Sequence, residues 1–166
     1  MQSKKTPASA IALGGVLAAL AIVFMAMGTL IPVATFVCPV LCMLLLQLVM
    51  KICGVRIAWA WYGAVAILAA LMAPDKEAAA VFAFLGYYPI VKPRLDRTRG
   101  KWLWKGLLFN GSILLMYGLL IGLLGFDQIA GEYAGMGIAL TAVMLLLGNV
   151  TFFLLDRLLE RKFRKR

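Results

Sequence analysis

PDKEAAAVFAFLGYYPIVKPRLDRTRGKWLWK, residues 74–105, is the stretch that decides how the rest of the chain is read. It opens on a charged turn, continues as an apolar run interrupted by Gly86 and Pro89, and closes on a dense basic segment. Pro74 stops whatever helix precedes it. Asp75 is then placed to cap the next helix, with Glu77 in its first turn, where free N–H groups and the helix dipole favour acids. The helix predicted over 76–91 is apolar only from Ala78, and those 14 residues reach about 21 Å, short of a hydrocarbon core of about 30 Å. Pro89 cannot donate to the Leu85 carbonyl and Gly86 loosens the backbone beside it, so a kink is expected over 86–89. At membrane depth such backbone persists only against protein or a cavity.

Working outward, composition sets the class. Hydrophobic residues make up 64% of the 166 positions and charged ones 14%, against roughly half and a quarter in soluble proteins. That leaves too little polar material to cover a core, so the chain is expected to be an all-α polytopic membrane protein in which lipid is the apolar solvent. The excess of 17 Lys and Arg over 7 Asp and Glu lies between apolar runs and not on a domain of its own, which argues against nucleic acid as a partner.

Six crossings are predicted, at about 9–31, 36–52, 57–73, 76–91, 102–124 and 134–155, followed by a basic tail over 156–166. The first is too long for the apolar part of a cleaved leader. Pro39 falls near the start of the second, where its missing N–H does least damage. Trp59, Trp61 and Tyr62 open the third and Trp102 and Trp104 the fifth, as interfacial anchors do. In the first crossing Gly14 and Ala18, and Gly15 and Ala19, stand four apart. These are small faces that let another helix, in this chain or a partner, come close.

Charge orients the crossings. Lys4 and Lys5 lead the chain, Lys51 and Arg56 bracket the 2–3 turn, Lys92, Arg94, Arg97, Arg99, Lys101 and Lys105 crowd the 4–5 loop, and six more bases occupy the tail. All sixteen fall on one side of a six-crossing chain and Lys76 alone on the other. Under the positive-inside rule both termini are cytoplasmic. The outer side then carries Asp75, Lys76, Glu77, Asp127, Glu132 and Tyr133 as candidate contact residues.

Polar side chains within the crossings are few. Gln47 in the second, Tyr87 and Tyr88 in the fourth, Asn110 in the fifth and Asn149 in the sixth all lie in the half of the bilayer nearer the bases, and the two asparagines are spaced to pair across a hairpin. They either hold helices together or form the polar floor of a pocket walled by the kinked fourth helix. No charged residue lies in the middle of a crossing, which argues against an ion-coupled pump. Ser112 and Thr141 have no histidine to activate them, since the chain has none. Cys38 and Cys42 are one turn apart but lack further metal ligands, and there is no phosphate-binding glycine loop. Neither an enzyme nor a bound cofactor is expected.

Six short crossings, both ends inside, a small-residue first helix reading ALGGVLAAL over 12–20 and no energy-converting motif together resemble the substrate-binding membrane subunit, or S-component, of energy-coupling-factor vitamin transporters. The stretch PDKEAAAVFAFLGYYPIVK also looks like that of small bacterial membrane proteins. The transporter resemblance implies a subunit of the bacterial cell membrane that captures a small organic molecule. It also implies that Gly14, Gly15, Ala18 and Ala19 dock on a transmembrane coupling subunit driven by separate ATPases. A different expectation comes from the charges: a membrane scaffold or assembly protein that binds a cytoplasmic partner through the basic 4–5 loop and tail.

Overall fold

A computed structural model describes residues 7–27, 34–122, 131 and 138–163. Among them there are seven helices and no strand: α1 (Pro7–Ala26), α2 (Ala34–Cys53), α3 (Val55–Met72), α4 (Lys76–Leu85), α5 (Tyr88–Leu95), α6 (Lys101–Gly122) and α7 (Ile138–Phe163). Three helical stretches are long and apolar enough to cross a membrane: Ala8–Ala26, Val55–Met72 and Lys101–Leu120. The chain divides into two compact units, Met1–Arg97 and Thr98–Arg166.

The first unit is built from stripes that repeat every four residues. Leu17, Ala21 and Met25 on α1, Cys38, Cys42 and Leu46 on α2, and Trp61, Val65, Ala69 and Ala73 around α3 are all buried, and residues four apart share one face of a helix. Because these helices are apolar on nearly every side, hydrophobicity alone cannot choose the inward face. Size and polar detail choose it. The later half of the α3 stripe, Ala69 and Ala73, is alanine, and α2 and α4 both pack on α3.

Side chains that bond to backbone carbonyls fix the registers. The Cys53 thiol donates to the Ala10 carbonyl at 3.1 Å and Cys42 to Ala21 at 3.5 Å, which sets α1 and α2 antiparallel. The Trp61 indole N–H donates to the Gly14 carbonyl at 2.9 Å. Gly54, with φ of 88°, reverses the chain between α2 and α3 in the left-handed region that only glycine adopts freely.

Several boundaries differ from the sequence expectation. Helix α2 starts at Ala34, so Pro39 lies inside it and is buried instead of sitting in the first turn. The predicted fourth crossing is two helices, α4 and α5, separated at Gly86 and Tyr87. It is also longer than its apolar run, because α5 continues past Val91 to Leu95 with Lys92 and Arg94 in its last turn, where cations meet the negative end of the dipole. The interruption lies where Pro89 becomes an early residue of α5, a position that has no intrahelical donor to lose.

In the second unit α6 packs on α7, and the residues read as a basic tail after the sixth crossing carry α7 on to Phe163, with Asp156 and Leu159 buried. The ends of the predicted first and fifth crossings and the start of the sixth fall partly on residues outside those described.

A side chain at Gly86 has no room. A methyl group there meets the Phe82 carbonyl oxygen and comes within 2.8 Å of the Phe82 ring, whereas at Gly15 nothing stands within 4 Å. Gly86→Ala is therefore expected to cost about 1–3 kcal/mol through overpacking. Gly15→Ala should leave stability unchanged when the two unfolding midpoints are compared in detergent.

Candidate functional site

The last carbonyls of any helix lack an intrahelical donor, and near the end of α4 those of Phe82 and Ala83 are met. The Gly86 N–H donates to the Phe82 carbonyl at 2.7 Å. The Tyr62 hydroxyl crosses from α3 to donate to the Ala83 carbonyl. Pro89 has no N–H to offer Leu85. The Tyr62 ring is in turn set among Phe82 at 5.7 Å, Tyr87 at 6.2 Å and Trp59 at 6.0 Å between centroids, and Trp59 stacks on Tyr87 at 6.4 Å. Edge-on and offset arrangements of this kind are the ones favoured by aromatic quadrupoles. Helix α3 thus braces the interruption with one hydroxyl and two ring faces.

The polar candidates of the first unit gather on the helices around this point. Tyr87 belongs to the ring cluster, Tyr88 and Gln47 are buried, and α2 packs on α5. Lys92 is also buried and pairs with Asp96 one turn on, at 3.5 Å. Among the described residues no buried side-chain nitrogen or oxygen lacks a hydrogen bond. This end of the unit is polar inside, and satisfied.

In the second unit Asn110 and Asn149 do meet. Each amide donates one N–H to the other's oxygen, at 3.0 and 3.1 Å, and the second to a carbonyl in the preceding turn of its own helix, Gly106 at 2.8 Å or Leu145 at 2.9 Å. Both N–H groups of both residues are used, so the pair works as a clasp and offers no donor to a ligand. Phe109 stacks on Phe152 beside it at 4.7 Å.

Beyond that stack lies a feature that sequence reasoning missed. Lys105 and Asp156, read as loop and tail, form an ion pair at 2.8 Å with side chains 3% and 1% exposed, and the lysine also lies 5.8 Å from the Trp102 ring centroid. The signal was available in the asparagines. Five residues back from Asn110 is Lys105 and seven on from Asn149 is Asp156, so an antiparallel hairpin clasped at the amides brings the opposite charges together.

The described candidates of the outer set, Asp75, Lys76 and Glu77, stand at helix ends. Asp75 caps α4 by accepting from the Ala78 N–H at 3.0 Å, as its place before the apolar run predicts. Lys76 turns back to donate to the Ala70 carbonyl at 2.9 Å in the last turn of α3, and Glu77 lies in the first turn of α4. Asp127, Glu132 and Tyr133 lie outside the described residues. The small-residue face of α1 is split. Gly14 is buried, with its carbonyl bound to Trp61 and the Cys53 sulfur 4.0 Å from where a methyl would stand, and Ala18 packs on the core. Gly15 and Ala19 are exposed. No protein-family model, curated protein or solved structure matches this chain.

Removing one member of a buried ion pair strands the other, at a cost of about 3–5 kcal/mol, while replacing both with apolar groups is close to neutral. Lys105→Met should therefore lower the unfolding midpoint sharply. Adding Asp156→Leu should restore most of the loss, and a double-mutant cycle in detergent measures both steps.

Proposed function

We propose that the chain is a membrane-embedded substrate-binding subunit of an uptake transporter for a small, vitamin-like molecule, energised by ATPases carried on other chains. The observation that carries this reading is the interruption between α4 and α5. Pro89 leaves the Leu85 carbonyl without its helical donor, and Tyr62, Gln47 and Tyr88 lie on the helices packed around that point. A broken helix is a common way for membrane proteins to present backbone polar groups to a ligand within the bilayer. Glycine at position 86 and the braced carbonyl at Ala83 make it a fixed part of the fold.

In this reading the chain crosses the bacterial cell membrane six times with both termini in the cytoplasm. Support comes from how charge is distributed within each unit. Trp59 at the start of α3 faces Tyr87 at the start of α5, so the end of α5 lies beside the α2–α3 turn, and Lys51, Arg56, Lys92, Arg94 and Arg97 share one end of the first unit. Asp75, Lys76 and Glu77 occupy the other. In the second unit the Lys105–Asp156 pair brings the start of α6 next to the later part of α7, which Arg157 follows. Reactive tags at the two termini should both be shielded in intact cells, and labelling of either from outside would remove the six-crossing arrangement.

The coupling partner in this reading is a transmembrane subunit docked on the outward stripe of α1, Gly15 and Ala19, the inward stripe being occupied by α2 and α3. Mild-detergent purification should recover that subunit with its ATPases, and Gly15→Leu with Ala19→Leu should lose them without lowering the yield of the chain. Recovery of the chain alone counts against transport. It favours instead the scaffold reading, for which the exposed Arg94, Arg97 and Arg99 supply a surface for a soluble partner.

A further inference from the structure

We propose that Arg56 and Arg94 form a binding site for the phosphate of an anionic phospholipid at the edge of the stacked Trp59–Tyr87 pair. Arg56 precedes Trp59 by three residues and so lies on the same face of α3, about 4.5 Å along its axis. Arg94 follows Tyr87 by seven residues, two turns further along α5 toward the same end of the unit. Since Trp59 stacks on Tyr87 at 6.4 Å, the two arginines stand on the two helices that this aromatic contact joins, Arg56 one turn and Arg94 two turns from its rings. Both arginines are exposed, and among the described residues neither guanidinium is held in a hydrogen bond or ion pair. The neighbouring acid, Asp96, is paired with Lys92 at 3.5 Å.

The depth identifies the ligand. A half-exposed tryptophan stacked on a tyrosine belongs at the headgroup level of a bilayer, with its ring against the glycerol region. The Arg56 guanidinium, one turn beyond that ring, is held where lipid phosphates lie, Arg94 reaches the same level from the headgroup side through its long stem, and the planar fork of each matches two phosphate oxygens. A soluble acidic partner would address Arg97, beyond the end of α5, before reaching Arg56. The site is distinct from the inward-facing Gln47 and Tyr88 and does not depend on the transport reading.

The test uses the full chain in detergent, with bound lipid counted by native mass spectrometry after addition of phosphatidylglycerol, phosphatidylcholine or inorganic phosphate. Phosphatidylglycerol should be retained about thirtyfold better than phosphatidylcholine, the factor expected of two basic side chains at an anionic lipid. Arg56→Gln with Arg94→Gln should reduce it to the phosphatidylcholine level. The charge-matched pair Arg97→Gln with Arg99→Gln should leave retention intact, and Arg56→Lys with Arg94→Lys should keep most of it, which separates charge loss from misfolding. Equal retention of the two lipids, undiminished phosphatidylglycerol on the Arg56/Arg94 glutamine variant, or displacement of the lipid by millimolar inorganic phosphate would each overturn the proposal.

Discussion

In a chain this apolar the helices meet through side-chain donors that reach backbone carbonyls of a neighbour, and the rest of the packing depends on those few directional contacts. The Tyr62 hydroxyl at Ala83, the Trp61 indole at Gly14 and the thiols of Cys42 and Cys53 at Ala21 and Ala10 all point at carbonyls of a neighbouring helix. Individually such contacts in a membrane are worth about 0.6 kcal/mol. Their larger effect is on choice. Helices α1 and α2 are apolar on nearly every side and could pack in many rotations of similar energy, and a side chain that reaches one particular carbonyl selects one rotation and one register.

The second unit joins its helices with polar side chains. The amide clasp, the Phe109–Phe152 stack and the Lys105–Asp156 pair follow one another along the α6–α7 contact, so the seam runs from uncharged to charged as it approaches the start of α6. That is how a lysine and an aspartate can be buried in an apolar hairpin: each lies within reach of the other's opposite charge.

Much of the architecture was legible from residue type and spacing. The helical class, the cap at Asp75, the interruption near Gly86 and the meeting of Asn110 with Asn149 each follow from a local rule about donors, acceptors or φ. What was not legible depended on how far a helix runs into polar sequence. Residues 92–95 and 156–163 read as loop and tail because charge was taken to end a crossing. Yet Lys92 and Asp156 are buried, since a charge with a partner one turn away or on the facing helix need not leave the protein. The division of the α1 small-residue face was hidden for a different reason. Gly14 and Gly15 are chemically identical in sequence, and only Trp61, forty-seven residues on, decides which turns inward.

The distance in sequence between Lys105 and Asp156 has a consequence for biosynthesis. Fifty-one positions separate the two, and at a synthesis rate of about 5–20 residues per second the lysine leaves the ribosome roughly 3–10 s before its counter-charge exists. Throughout that interval α6 carries an uncompensated ammonium about 6 Å from its start, close enough to a water-facing end for the four-carbon stem to reach out. The ion pair can therefore close only after α7 has been made, and until then the lysine has no counter-charge on that helix.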